Sequence, residues 1–314
     1  MNMRLDLTQV QGLADLIDSD TEMQRQHAMR VFEGELADTV EAWRRDLTRA
    51  RALLEATIDF ADEDVPEDVR PEVEILIRNV IQSLQEQLAG VDEVTRIKDG
   101  FDVAIIGAPN VGKSSLLNAL TKSDAAIVSE VAGTTRDVIE VRLEIAGFQI
   151  NLIDTAGIRD TDDIVEKIGV ERARARAESA DLRVLLYADS NDRDLAHLIT
   201  GSDISLQSKA DIYFCPEGLS AVTGQGIPEL LARIAERAAS GSSKAGLVSR
   251  LRDRQAISAA SEILSGVLDM AGTIEAELLS SDVQAAADKL SAIIGRVDVE
   301  AILDEVFSSF CLGK

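Results

Sequence analysis

Gly107-Ala108-Pro109-Asn110-Val111-Gly112-Lys113-Ser114-Ser115 decides the fold. Phe101-Asp102-Val103-Ala104-Ile105-Ile106, just before it, is a short apolar run that reads as a buried strand. Leu116-Leu117-Asn118-Ala119-Leu120, just after it, reads as the first turns of a helix. A strand, then G-x-x-x-x-G-K-[ST], then a helix is the context of a phosphate-binding loop. Gly107 and Gly112 let the backbone bend so that successive N–H groups point at phosphate oxygens. The helix N-terminus adds a favourable partial positive charge. Nucleotide contacts are expected from Asn110, Val111, Gly112, Lys113, Ser114 and Ser115. Lys113 should reach the β- and γ-phosphates, and the Ser114 hydroxyl should ligate Mg²⁺.

On either side of this stretch the texture changes. Residues 4 to about 98 read as helix nearly throughout. Leu5, Leu7, Val10, Leu13, Leu16 and Ile17 recur at helical spacing. From about Thr21 to Asp59, Met29, Phe32, Leu36, Val40, Trp43, Leu47, Leu54 and Ile58 share one face, the pattern of an amphipathic core helix. The acidic, proline-containing run from Asp62 to Pro71 is a break, and a third helix is expected from about Glu72 to Lys98. Gly100 to about Ala239 alternates strands and helices. Val138–Ile145 and Gln149–Ile153, joined at Gly147, read as a hairpin. Leu182–Tyr187 is a further strand and Pro228–Ala238 a closing helix. Ser240–Gly246 is a linker by composition, and the chain is helical again from about Leu247. The domains are therefore expected at 1–98 (helical), 99–240 (nucleotide-binding) and 241–314 (helical). This is an α/β nucleotide domain inserted into one helical bundle.

Composition narrows the function. The 314 residues suffice for two or three domains. The formal net charge of −24 opposes broad direct binding to a nucleic-acid backbone. The two cysteines, Cys215 and Cys311, form no metal or disulfide spacing. No uncharged stretch approaches the roughly 18 residues of a membrane span, so a cytoplasmic protein with no membrane partner is expected.

Three more motifs complete a guanine-nucleotide site. Asp154-Thr155-Ala156-Gly157 follows a strand. Its carboxylate suits Mg²⁺ held through water, and the Gly157 N–H suits the γ-phosphate. Gly133-Thr134-Thr135-Arg136-Asp137 lies where a switch threonine is expected. Ser208-Lys209-Ala210-Asp211 stands where GTP-binding proteins carry N-K-x-D. Asp211 can accept from the guanine N1 and N2 donors, which adenine lacks as a pair. Ser220 and Ala221 would serve the guanine carbonyl. Serine in place of asparagine is expected to lose an amide contact to the base and to the phosphate loop, with guanine specificity kept by Asp211 and binding looser than usual. Ile158 follows Gly157 where small GTPases such as Ras place a water-orienting Gln. Any hydrolysis must take that help from elsewhere.

Together G-A-P-N-V-G-K-S-S, I-V-S-E-V-A-G-T-T-R-D, D-T-A-G-I-R, S-K-A-D and the closing F-S-S-F-C-L-G-K resemble the MnmE (TrmE) family of tRNA-modification GTPases, over essentially the whole chain. The resemblance implies a Ras-like P-loop GTPase domain inserted into an all-α domain. It implies GTP, Mg²⁺ and K⁺. Mg²⁺ would lie on Ser114 and Thr135, and K⁺ would be held by Asn110 and by the Ser129, Val131 and Thr134 segment. It implies face-to-face pairing of two nucleotide domains. It makes Glu166 the catalytic Glu that orients or activates water through a bridging water, and Cys311 a residue of tRNA modification rather than hydrolysis. It implies the FAD-dependent partner MnmG, with tRNA held mainly through that complex, and 5-carboxymethylaminomethyl-type modification of the wobble uridine. Family members also carry an N-terminal domain that binds a folate derivative and builds a constitutive dimer. This chain is expected to start after it. A ribosome-assembly GTPase of the Era or Der type shares the hydrophobic residue after D-x-x-G but would carry a basic RNA-binding appendage. A non-catalytic nucleotide-binding module is the other alternative.

Overall fold

The computed structural model describes residues 5–59, 69–123, 127–129, 140–154, 178–188, 199–241, 245–270 and 276–295. They fall into two compact units. One takes its described residues from 1–19, 24–95 and 244–314, the other from 20–23 and 96–243.

The helical unit contains α1 (Leu7–Ile17), most of α2 (Glu22–Phe32), α3 (Glu35–Asp59), α4 (Arg70–Ala89), the start of α5 (Val91–Asp99), α9 (Leu251–Met270) and α10 (Ala276–Ile294). Asp6 opens α1 with a capping box, its carboxylate accepting from the Gln9 N–H while the Gln9 side chain accepts from the Asp6 N–H. The stretch 21–59 is not one helix. Gly34, at φ +97, breaks it between Phe32 and Glu35. Arg30 and Glu35 then bridge the corner through paired 2.7 Å hydrogen bonds. Those hydrogen bonds raise the arginine pKa and lower that of the carboxylate. Gly90 likewise divides 72–98 into α4 and α5. Leu36, Val40, Trp43, Leu47 and Leu54 of α3 are buried with Ile77 and Leu84 of α4, Ile257 and Leu264 of α9, and Val283 and Leu290 of α10. The two helical segments thus form one bundle, as their periodicity implied. Trp43 Nε1 donates to Ser83 Oγ at 2.9 Å, so the indole proton is not lost inside the core.

The other unit is a six-stranded sheet of β1 (Phe101–Gly107), β2 (Ile127–Ser129), β3 (Glu140–Ile145), β4 (Phe148–Asp154), β5 (Leu182–Tyr187) and β6 (Ile204–Gln207), in the order β2-β3-β4-β1-β5-β6. Strands β4, β1, β5 and β6 are parallel, and β2 and β3 are antiparallel additions. The β3–β4 hairpin turns on Ala146 and Gly147, at φ 52 and 85, a left-handed pair that matches strand twist. β1 is buried along almost its whole length, as a central parallel strand should be. Val103, Ile105, Leu152 and Val184 pack with Leu116 and Leu120 of α6 (Lys113–Thr121) and with Leu230 and Ile234 of α8 (Ile227–Ala239).

At the N-terminal ends of the strands, Asp181 accepts from Arg96 at 2.8 Å and from the Asp102 N–H at 3.0 Å. Asn151 donates to Asp99 O and Asp102 Oδ1. Asp203, at the start of β6, is buried beside Arg183. Burial works to raise its pKa. Hydrogen bonds from the Thr200 and Arg183 N–H groups and the Thr200 hydroxyl, with the Arg183 charge, outweigh burial and hold it below the ordinary aspartate value.

Candidate guanine-nucleotide site

Ligands of open parallel sheets bind beyond the C-terminal strand ends, where the connections diverge to either side. Here that point is the end of β1, flanked by β4 and β5. The phosphate-loop sequence sits there. Gly107 ends β1 against the neighbouring strand. A Cβ on it would come 2.4 Å from the Leu186 carbonyl oxygen and 3.0 Å from Val111 Cγ1. No other residue fits without moving β5. Asn110 and Gly112 take φ of 62 and 109, which reverses the chain before α6 starts at Lys113. The Lys113 side chain folds back over the loop. Its Nζ donates to Gly107 O at 2.7 Å and to Ala108 O at 2.9 Å. A buried ammonium at the mouth of a helix N-terminus is a strong anion site. Ser114 and Ser115 lie exposed in the first turn of α6, and Asn110 lies exposed on the loop. Asp154 closes β4 and is in register with Ile105, two residues before the loop.

The base side is assembled from β6 and the turn after it. The Leu219 N–H donates to Gln207 O at 2.7 Å, and the Ala210 N–H to Leu219 O at 3.0 Å. This lays Ser208–Asp211 beside Leu219–Ala221. Lys209 adopts φ 56 ahead of the short helix α7 (Ala210–Tyr213), in which Asp211 is exposed. Ser220 is fully buried. Its Oγ accepts from the Thr223 N–H at 3.2 Å and its carbonyl from the Gly224 N–H at 3.0 Å. Gly226 can only be glycine, because a Cβ there would approach Gly218 O to 2.9 Å at φ +75. Gln225 pins the outer turn, its Nε2 donating to Cys215 O at 2.9 Å and Pro216 O at 3.1 Å.

The lost amide contact to the phosphate loop has a replacement. Ser208 keeps a contact to the phosphate loop. Its hydroxyl donates to Val111 O at 2.7 Å, with Tyr187 O as a second acceptor at 3.3 Å, and its N–H donates to Tyr187 O at 2.8 Å. The serine hydroxyl supplies the tether in place of the amide. The two loops are joined through a residue 97 positions from its partner.

The model of the MnmE helical domain matches residues 7–311. The tRNA modification GTPase MnmE of Cereibacter sphaeroides is 51% identical over all of this chain and 74% of its own length. That of Dinoroseobacter shibae is 50% identical over all of this chain and 73% of its own. The chain belongs to the MnmE family. Among solved structures, the G domain of the T. maritima FeoB iron transporter is 29% identical over 44% of this chain and 98% of its own, at a TM-score of 0.32. The family assignment rests on the sequence relatives.

The MnmE family is a family of GTPases, and here the phosphate-loop sequence and the turns around 208–211 and 219–221 lie along the C-terminal edge of the sheet. Of the residues expected from sequence, Asn110 to Ser115 and Ser208, Lys209, Asp211, Ser220 and Ala221 lie on that edge or the turns beyond it. Ser129 lies in β2, paired with Arg142. Val131, Thr134, Thr135, Gly157, Glu166 and Cys311 lie outside the described residues. Sequence reading missed Gln225 and the Tyr187 carbonyl, both of which hold the base loop. Neither carries a motif, and only the folded turn brings them to it. Among the described residues no helix is long and apolar enough to cross a membrane, and no cluster of three or more His, Cys, Asp or Glu could hold a metal ion.

Proposed function

We propose that this chain hydrolyses GTP in a K⁺-dependent way and acts with the FAD-dependent protein MnmG in 5-carboxymethylaminomethyl modification of the tRNA wobble uridine. The observation that carries the nucleotide end is the joined pair of loops, with Lys113 buried at the phosphate side and Ser208 tied to Val111. The shared name of the relatives, tRNA modification GTPase, supports the tRNA end.

The triphosphate would lie over 107–115, with Lys113 on the β- and γ-phosphates. The guanine would lie over Lys209, with Asp211 accepting from N1 and N2 and the Ala221 N–H meeting O6. Ser114 and Thr135, with Asp154 through water, would hold Mg²⁺, which would neutralise phosphate charge. Asn110 and the oxygens of Ser129, Val131 and Thr134 would hold K⁺, which would supply positive charge as the β–γ bridge becomes negative. Asn110 fits that task by its exposed place on the loop. Ile158 can donate nothing to the attacking water, so Glu166 orients it. Two nucleotide domains pair face to face to enclose the site. Cys311 serves the tRNA chemistry. With a net charge of −24, the chain leaves most phosphate contacts on tRNA to its partner.

GTP turnover in matched KCl and NaCl, with Mg²⁺ and across protein concentration, tests this. Activation by K⁺ that grows with protein concentration is expected. Equal, slow rates in both salts would remove the potassium and pairing steps.

A further inference from the structure

The Ser208 hydroxyl has one proton to give. Two backbone carbonyls face it, Val111 O at 2.7 Å and Tyr187 O at 3.3 Å, and the residue is 2% exposed. An asparagine amide carries two protons, so one can hold the loop while the other meets a purine. Serine has to choose, and here the proton goes to Val111. The guanine N7 is purely an acceptor, so the lone pairs left on Ser208 Oγ offer it nothing. The proton also sits where it matters for the phosphates. Val111 stands between Asn110 and Gly112, at φ 62 and 109, two residues before α6. Its carbonyl is the point at which the base loop grips the phosphate loop.

We infer that Ser208 is a positioning residue that ties the base loop to the phosphate loop without reading the purine, so that this chain accepts guanine nucleotides lacking N7. The inference rests on the reading of 208–211 as the base loop. It makes the site less discriminating than an N-K-x-D site: N1 and N2 are read by Asp211, and N7 is left unread.

The test is equilibrium binding of GDP, 7-deaza-GDP and IDP to the full chain, wild type and with Ser208→Ala, Ser208→Thr or Ser208→Asn. Wild type should bind GDP and 7-deaza-GDP within about twofold, since no hydrogen bond separates them. Ser208→Ala should weaken both by the same factor, roughly tenfold for one lost buried hydrogen bond. Ser208→Thr, which keeps the hydroxyl, should restore both. Ser208→Asn should create a preference for GDP over 7-deaza-GDP of several-fold. A clear preference for GDP in the wild type, or a Ser208→Ala loss confined to GDP, would overturn the inference. So would a Ser208→Ala protein with unchanged affinity for both. IDP lacks N2 and should bind more weakly throughout. Equal binding of GDP and IDP by the wild type would undo the base-loop reading, and this inference with it, and is told apart by that arm alone.

Discussion

The phosphate loop holds its shape with backbone, whereas the base loop borrows side chains. In the first, Gly107 packs against Leu186 O, Asn110 and Gly112 turn left-handed, and the Lys113 side chain bonds back to the main-chain carbonyls of Gly107 and Ala108. In the second, the side chains of Ser208, Ser220 and Gln225 each bond a backbone group of a neighbouring turn or loop. The difference suits the ligands proposed for the two loops. Phosphates are bound by rows of N–H groups, and conformation alone supplies those. A base edge is read by a few placed groups, and placing them needs supports. Substitutions should therefore act abruptly in the first loop and by degrees in the second.

The largest effect is expected at Lys113. Lys113→Ala removes the buried ammonium and should lower GTP turnover on the order of a thousandfold, the upper range for one lost charge-stabilising donor. A circular-dichroism melt should show the fold kept. A tenfold loss would mean that the backbone alone carries the phosphates. Asp211→Asn comes next. It exchanges two charge-assisted hydrogen bonds for a mismatch and should weaken GTP by about 3 kcal/mol, or roughly a hundredfold. It should also improve binding of xanthosine triphosphate, whose C2 carbonyl can accept from the new amide. Competition binding reads both. No gain for the xanthine nucleotide would remove Asp211 from the base site. Smallest for the ligand is Asp203→Asn, at the start of β6, far from either loop's contacts. Nucleotide affinity should be unchanged, while the nucleotide unit loses about 2 kcal/mol near neutral pH. Because the native Asp203 pKa is lowered, its contribution is present above the unfolded value of about 3.9 and is lost as pH falls through the native one. The stability gap between wild type and Asp203→Asn should then close in acid. A gap constant from pH 7 down to 3 would contradict the assignment.

The same contrast explains what could be read before the fold was known. The phosphate loop was legible because its glycines and lysine are local: the strand before and the helix after fix where they stand. The hairpin at Gly147 was legible for the same reason. Asp211 could be named, but the partner of Ser208 could not. Val111 is far away in sequence, and only the packing of β5 and β6 beside β1 brings the two together. Apolar periodicity ran on through Gly34 and Gly90, hiding two helix ends. A buried face can stay in step across a corner when the next helix packs on the same core. Gln225 gave no signal, since an exposed glutamine acquires its role only once the 215–218 turn lies beside it.

Titration of the full chain with GTP and with ATP, in K⁺ and Mg²⁺, followed to released phosphate, tests the central claim most directly: the two joined loops form one guanine-nucleotide hydrolase site. GTP should bind more than about a hundredfold tighter than ATP, as a site built to pair with two donors rejects a base that lacks them, and should be turned over. Equal affinity for the two nucleotides, or tight GTP binding with no phosphate released, would contradict it.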